Sequence, residues 1–324
     1  MKTKINRRIA RLATAVAAGM LAFSGAQAAA SLAKSQAPGY YRMMLGDFEI
    51  TALNDATFQL SPAALLTNVK PEQVRQALER NLLKDPVPTS VNGFLVNTGT
   101  RLVLIDTGTG TGDHPDPTMG ALLANLRAAG YQPGQVDEIY ITHMHGDHIG
   151  GLTAAGHAAF PNAIVRADRR EADYWLSEAN LNAAAKDAQE RFRQARAALA
   201  PYIAAGRFRT FDGATELVPG VRALSAYGHT PGHTVYEVAS KGEKLLLWGD
   251  LMHVAAVQFA DPAVTIRFDT DSPAAARQRA LIFTDAARQG YWIGGAHVAF
   301  PGLGHLTATG AGYAWLPVIW QPLH

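Results

Sequence analysis

Short apolar runs alternate with polar segments along the chain, from about residue 48 to residue 318. Runs rich in β-branched and aromatic residues predict strands, and apolar residues at helical spacing predict helices. Ser272 is the predicted cap of the last helix and Pro273 its first residue. The predicted strands cover residues 48–54, 93–97, 101–106, 136–142, 163–167, 207–211, 221–226, 234–240, 244–248, 291–294 and 313–318, and the predicted helices cover 117–129, 169–177, 183–200 and 272–289. These alternating blocks predict an α/β fold.

Two short turns, 97–100 and Lys241-Gly242, predict hairpins between neighbouring strands. No repeat, low-complexity tract or linker interrupts the sequence, which is 48% hydrophobic and 17% charged. This composition is typical of a globular protein with a sizeable core. We therefore expect one domain over residues 29–324.

The first 28 residues predict a secretory signal peptide. Five Lys and Arg residues precede the apolar stretch 12–23, and the small-residue site Ala26-Gln-Ala28 follows it. Cleavage after Ala28 removes five cations and no acid, so the formal net charge moves from +2 to −3. The sequence pI of 8.8 therefore gives no support for nucleic-acid binding. We expect a periplasmic or secreted protein with no stable membrane anchor after processing, exported by the Sec or the twin-arginine route.

The segment 141–151 carries the strongest chemical signal. It places His143, His145, Asp147 and His148 directly after the predicted strand 136–142, and Gly150-Gly151 then turns the backbone. Imidazole is the commonest metal ligand, and a carboxylate buried beside it needs a cation to offset the cost of its desolvation. The segment therefore predicts a metal site.

Other ligands must come from elsewhere in the chain, because one strand end cannot enclose a metal. His229 and His233 lie in a turn containing Gly and Pro, and Asp250 and His297 each follow an apolar run. A β-scaffold delivers ligands to one edge in this way.

These motifs, in this order, resemble the metallo-β-lactamase superfamily: His-Met-His-Gly-Asp-His at 143–148, Gly-His-Thr-Pro-Gly-His at 228–233, Gly-Asp at 249–250 and Ala-His at 296–297. Within it, the segments 38–53, 137–145 and 254–259 resemble the branch of methyl parathion hydrolase and related lactonases and arylesterases. The resemblance implies an αββα four-layer sandwich, with a helical insert at about 168–205 that caps the active site.

The resemblance also implies how the ligands are shared between two divalent ions. His143, His145 and His229 would hold one, Asp147, His148 and His297 the other, and Asp250 would bridge them. Zn²⁺ is expected first, with Mn²⁺, Fe²⁺, Co²⁺ and Ni²⁺ as alternatives, because such ligands do not discriminate by type alone.

Asp106 matches a position that supports the ligand shell by hydrogen bonding, although Asp is also common in turns at strand ends. His233 is either a ligand or a supporting residue. For His114, His157, His305 and His324 we predict no specific role.

A hydroxide bridging two cations hydrolyses esters, lactones or phosphotriesters equally well, so the metals do not identify the small-molecule substrate. His253 is predicted either to protonate the leaving group or only to line the pocket. Trp175, Phe192 and Ile266 are candidate pocket residues, although aromatic residues on a helix usually belong to the core. The Gly/Asp/Pro-rich loop 108–117 and His253 depart from the parathion-hydrolysing relatives, which carry apolar or aromatic residues there.

These features favour an exported hydrolase of lactones or aryl esters, with organophosphate hydrolysis as a side activity. The alternatives are a dedicated organophosphate hydrolase, a mononuclear iron dioxygenase of the same fold, a thiolester hydrolase and a non-catalytic metal-binding protein. The chain has no cysteine. It therefore has no disulfide, and it lacks the thiolate ligand of many true metallo-β-lactamases, which counts against antibiotic hydrolysis. A homodimer is expected only by analogy with the family.

Overall fold

The computed structural model describes residues 30–110 and 119–323. The chain divides into two compact units, Met1–Ala37 and Pro38–His324. The predicted signal peptide, His114 and His324 lie outside the described residues. No helix in the described part of the chain is long and apolar enough to cross a membrane.

Two seven-stranded sheets of mixed direction form the centre of the second unit, with orders β1-β2-β4-β5-β6-β9-β10 and β11-β12-β13-β14-β16-β17-β18. Parallel pairing joins β5, β6, β9 and β10 in the first sheet and β14 and β16 in the second. The strands of the first sheet are β1 Tyr40–Leu45, β2 Phe48–Leu60, β4 Val87–Asn97, β5 Leu102–Ile105, β6 Glu138–Tyr140, β9 Ile164–Asp168 and β10 Phe208–Phe211. Those of the second are β11 Thr215–Val218, β12 Val221–Ser225, β13 Thr234–Ser240, β14 Glu243–Leu247, β16 Trp292–Gly294, β17 Leu303–Thr309 and β18 Gly312–Pro317.

Two small sheets complete the strands, β3 Leu66–Thr67 with β15 Thr265–Ile266, and β7 Thr153–Ala154 with β8 His157–Ala158. The α-helices are Pro62–Leu65, Pro71–Arg80, Leu122–Ala128, Gly146–Ile149, Arg169–Trp175, Glu178–Ala183, Gln189–Ala204, Ala255–Gln258 and Ser272–Gln289.

The core clusters show the four layers predicted for this chain. One cluster fills the space between the sheets, with Ile50, Phe94 and Val103 from the first and Tyr236 and Leu245 from the second. All five side chains are almost completely buried. Facing inner surfaces of this kind hold the two sheets of a sandwich together.

Helices cover the outer face of each sheet. On the first sheet, Leu104 and Ile139 share a buried cluster with Leu199 of the helix Gln189–Ala204. On the second, Leu246 shares a cluster with Phe283 of the helix Ser272–Gln289. The αββα sandwich predicted from the sequence is therefore confirmed.

Most predicted elements agree with the structure to within a few residues, and both predicted hairpins form. The cap of the last helix is a correction: Asp271, not Ser272, accepts the N–H of Ala274 through its side chain. The sequence reading missed the strands β1, β11 and β17 and the helix Pro71–Arg80.

Candidate metal centre

Four turns at strand ends deliver the predicted ligands to one edge of the sandwich. The first follows β6 and continues into the helix Gly146–Ile149. Gly150 and Gly151 then pass close to the loop after β5. A Cβ on Gly150 would lie 2.1 Å from Thr109 O, and a Cβ on Gly151 would lie 2.0 Å from Thr107 O. These glycines are therefore required for close backbone contact.

Three imidazoles and one carboxylate form the first donor group. His145 Nδ1 lies 3.0 Å from His143 Nε2 and 3.1 Å from His229 Nε2. Asp250 Oδ2 lies 3.5 Å from His143 Nε2 and 3.3 Å from His229 Nε2. The four atoms surround one point, as the ligands of a metal ion do.

The second donor group shares Asp250 through its other oxygen. Asp250 Oδ1 lies 3.0 Å from His148 Nε2 and 3.1 Å from His297 Nε2. Asp147 Oδ2 lies 3.6 Å and 3.5 Å from the same two nitrogens. The structure thus brings all seven predicted metal ligands together in two groups joined by one carboxylate.

Hydrogen bonds behind the rings fix which nitrogen faces the centre. Asp106 Oδ2 accepts Nδ1–H of His148 at 2.7 Å and the hydroxyl of Thr142 at 2.7 Å, and Asp106 Oδ1 accepts the Thr142 N–H at 2.8 Å. Asp106 has a φ of 58°, a left-handed conformation that Asp tolerates better than most residues. Its predicted position behind the ligands agrees with this geometry.

The same arrangement holds two further ligands. His229 donates Nδ1–H to Asp269 Oδ1 at 2.9 Å, and His297 donates Nδ1–H to the Ser90 carbonyl at 2.9 Å. In each ring the proton is on Nδ1, so the lone pair of Nε2 points into the centre.

A cation fits this centre on chemical grounds. His148 Nε2 and Asp250 Oδ1 are buried and 3.0 Å apart, yet neither makes a hydrogen bond to any residue that the structure describes. Two buried acceptors facing each other are costly unless a positive charge lies between them.

The electrostatics of the ring cluster lead to the same conclusion. Burial alone would lower the pKa of His148, but Asp250, Asp147 and Asp106 raise it well above its ordinary value. Burial would raise the pKa of Asp250, but the imidazoles around it, first His148, hold it well below its ordinary value. The surroundings that favour a proton at His148 also favour a metal cation.

His233 has a supporting position. It lies outside both donor groups, accepts the backbone N–H of Asp250 on Nε2 at 3.1 Å, and donates from Nδ1 to the Ala226 carbonyl at 3.2 Å. Burial lowers the pKa of His233 to about 3, which keeps the ring neutral as this pair of bonds requires. Gly249, with a φ of 53°, packs against the same ring. His233 thus helps to set the position of the bridging carboxylate.

A cavity of about 490 Å³ opens beside the two donor groups. His253 lines it, with Nε2 3.0 Å from Asp250 Oδ2 and a buried Nδ1 that has no hydrogen-bond partner among residues 30–110 and 119–323. Other lining residues are Phe58, Leu60, Thr89, Thr109, Met119, Ile149, Arg191, Gln194, Ala197 and Phe268.

Three predicted pocket residues are corrected by this geometry. Trp175, Phe192 and Ile266 are 4%, 3% and 0% exposed and lie behind the cavity wall. Trp175 packs between the His145 ring and Phe192, with ring centres 5.5 Å and 4.7 Å away. Of the exposed positions on the helix Gln189–Ala204, Arg191, Gln194 and Ala197 line the cavity, and the apolar face of the helix belongs to the core.

The remaining described histidines, His157 and His305, lie outside the donor groups. His157, in β8, is exposed. His305, in β17, packs against Trp292 of β16. Sequence reasoning missed Asp269 and Glu171, which contact a ligand and the two ligand turns respectively. Each is a single carboxylate in a polar segment, and no local pattern marks it.

A family model for the metallo-β-lactamase superfamily matches residues 86–303, the span that contains every donor of both groups. The chain belongs to the metallo-β-lactamase superfamily. Its members among solved structures include the hydrolase AbOPH of the β-lactamase superfamily, 37% identical to this chain. That similarity covers 89% of this chain and 100% of AbOPH, with a TM-score of 0.84.

Two further groups of superfamily relatives are lactonases. AidC, a dizinc quorum-quenching lactonase solved with the product N-hexanoyl-L-homoserine, is 26% identical, with a TM-score of 0.81, over 88% of this chain and 99% of its own. An N-acyl homoserine lactonase from Bacillus sp. is 30% identical over 123 residues, which are 37% of this chain and 41% of that protein. The chain thus matches less than half the length of this curated relative.

Proposed function

We propose that this chain is a dinuclear-metal hydrolase whose substrates are lactones or aryl esters. The observation that carries the proposal is the pair of donor groups, joined by Asp250, at the base of a mostly apolar cavity. The similarity to AidC and to the Bacillus lactonase supports the lactone class.

Each part of the site has a separate task. Two divalent cations, Zn²⁺ first, would supply Lewis acidity and a water molecule activated near neutral pH. The seven ligands would hold the cations, and Asp106, Asp269 and Ser90 orient the ligand rings. The cavity binds the acyl or aryl body of the substrate by burying apolar surface.

The cavity wall favours a substrate with an apolar body and one polar end. Phe58, Leu60, Met119 and Phe268 provide the apolar surface. Arg191 lies over the Phe268 ring at 5.9 Å and makes no ion pair within the described residues. Its guanidinium lines the cavity and can bind a carbonyl or carboxylate oxygen of the substrate.

His253 remains the candidate acid for the leaving oxygen. Burial lowers the pKa of His253, which makes the protonated ring a stronger acid. Once protonated, the ring can give that proton to the alkoxide that opening a lactone produces, and it returns to the neutral form.

The complete second donor group argues against a mononuclear iron dioxygenase, because Asp147, His148 and His297 would have no function in such an enzyme. A dedicated organophosphate hydrolase would use the same centre and is separated from the lactonase only by substrate preference.

Two measurements test the proposal. Metal analysis of the purified full chain should give two divalent ions per chain, and one iron per chain would support the dioxygenase. Steady-state kinetics should give a higher kcat/KM for a γ- or δ-lactone than for methyl parathion, and the opposite order would refute the lactonase assignment.

We also propose that residues 1–28 direct export and are removed. N-terminal sequencing of the protein from periplasm or medium should begin at Ala29, and an intact Met1 in the mature protein would refute this.

A further inference from the structure

Glu171 is a buried carboxylate that the proposed chemistry does not use. It lies on the helix Arg169–Trp175, is 0% exposed, and is not among the residues that line the cavity. A carboxylate placed there cannot touch the substrate, yet taking it out of water costs free energy that only close partners can offset.

Every hydrogen-bond partner of Glu171 described here is a donor. Oε1 accepts the backbone N–H of Met144 at 2.8 Å and the indole N–H of Trp175 at 2.7 Å. Oε2 accepts the backbone N–H of Gly232 at 2.8 Å. Burial raises the pKa of Glu171, whereas these hydrogen bonds favour its ionised form, which offers only acceptors.

Two of these partners belong to the turns that carry the first donor group. Met144 lies between His143 and His145, and Gly232 follows His229 by three residues. The turns are more than 80 residues apart in the sequence, yet His229 Nε2 must lie 3.1 Å from His145 Nδ1. Glu171 therefore links the backbones of the two turns through hydrogen bonds.

The contact at Gly232 is tight. A Cβ at this position would lie 2.3 Å from the backbone nitrogen of Glu171 and 2.6 Å from its Cβ. Only glycine allows the second turn to approach the helix so closely. Gly232 and Glu171 thus act together; Gly232 belongs to the motif at 228–233, whereas no motif marks Glu171.

We infer that Glu171 is a positioning residue for the three-imidazole donor group: by accepting Met144 N–H and Gly232 N–H together, it holds His143, His145 and His229 at metal-binding distance. In the second donor group, Asp106 and Ser90, not Glu171, orient His148 and His297. This inference rests on the proposed binding of two cations.

The test is the variant Glu171→Gln in the full chain, titrated with Co²⁺ after metal removal. In either orientation, the amide NH₂ of glutamine faces at least one N–H that the carboxylate accepted, so one turn must move. Loss of a group that orients metal ligands typically weakens metal binding about 10- to 100-fold. We expect that loss in one of the two binding steps, with a changed Co²⁺ absorption spectrum, and no comparable loss in the other.

Three further variants make the result specific. Trp175→Phe removes the indole partner of Glu171 but keeps an aromatic ring beside His145 and Phe192, and it should leave both steps unchanged. Asp106→Asn should weaken the step that Glu171→Gln leaves intact. Gly232→Ala should reproduce the effect of Glu171→Gln, and it provides the test if the glutamine variant does not fold.

The outcomes separate this inference from the proposed function. Wild-type protein that binds fewer than two Co²⁺ ions refutes the dinuclear site itself. Two wild-type binding steps that persist unchanged in folded Glu171→Gln or Gly232→Ala refute the role of Glu171 alone. A Trp175→Phe variant that loses metal as strongly as Glu171→Gln shows that helix packing, not the bond to the turns, is responsible.

Discussion

Replacing His253 with phenylalanine should decide whether this ring acts as an acid or only lines the cavity. The variant keeps a flat ring of similar size against His297 and Phe268, whose ring centres lie 5.2 Å and 5.8 Å away. It removes the N–H that lies 3.0 Å from Asp250 Oδ2. The acid role predicts a large loss in kcat, and the wall role predicts a small change in KM.

The structure limits what the wall role alone can contribute. His253 is only 5% exposed, so its ring offers little surface to a ligand. At about 25 cal/mol per Å², loss of that contact changes KM by less than about tenfold. A general acid typically contributes about 10²- to 10⁴-fold in kcat, or about 3–5 kcal/mol.

The assay compares two substrates of similar acyl length. Opening a γ-lactone produces an alkoxide leaving group, which needs a proton. Hydrolysis of a p-nitrophenyl ester releases a stable phenolate, which does not. His253→Phe should lower kcat at least about 100-fold for the lactone and far less for the ester. Phe268→Leu is the control, because it changes the wall without removing a proton donor.

An equal loss with both substrates, smaller than about tenfold, would show that His253 only lines the cavity. An equal loss of kcat in the Phe268→Leu variant would also show that His253 only lines the cavity. Metal content must be measured in every variant, because His253 contacts the bridging carboxylate.

Three further results are expected. Arg191→Gln should lower kcat/KM for an ester with a terminal carboxylate by roughly fivefold, which is about 1 kcal/mol for a partly exposed charge, and should leave kcat/KM for its methyl ester unchanged. Arg193→Gln, outside the cavity, should have no effect on either ester. Equal turnover of both esters by the wild type would exclude this role. Gly150→Ala places a Cβ 2.1 Å from Thr109 O and should destabilise the fold by about 1–3 kcal/mol in urea unfolding. Gly134→Ala, whose added Cβ would have its nearest neighbour 3.7 Å away, should be neutral. Equal urea midpoints for the two variants would refute the close-contact argument. Removal of metal with a chelator should lower stability by about 4 kcal/mol relative to protein with Zn²⁺ at 1,000 times its Kd, and an unchanged urea midpoint would refute metal binding to the native state.

The candidate metal ligands stand out in the sequence because their turns follow recognisable apolar runs. The ligands His143 and Asp250 come just after β6 and β14, where the hydrophobic pattern stops and a turn begins. The strand ends lie at one edge of the sandwich, so local patterns and a known motif order were sufficient. The same patterns predicted the four layers.

The cavity wall could not be predicted in this way. Trp175 and Phe192 are apolar residues on helices, and periodicity does not distinguish a core face from a pocket face. Phe58 and Leu60, which do line the cavity, continue β2 beyond the end predicted for that strand. Glu171 lies in a polar segment, and its role exists only because folding brings two distant turns to it.

The helix Gln189–Ala204 contributes Arg191, Gln194 and Ala197 to the cavity but supplies no metal donor. Its buried side anchors it to the sandwich, while these three exposed positions can change at little cost to folding. Substrate preference can therefore diverge among descendants of this chain by surface substitutions, without any alteration of the reactive centre.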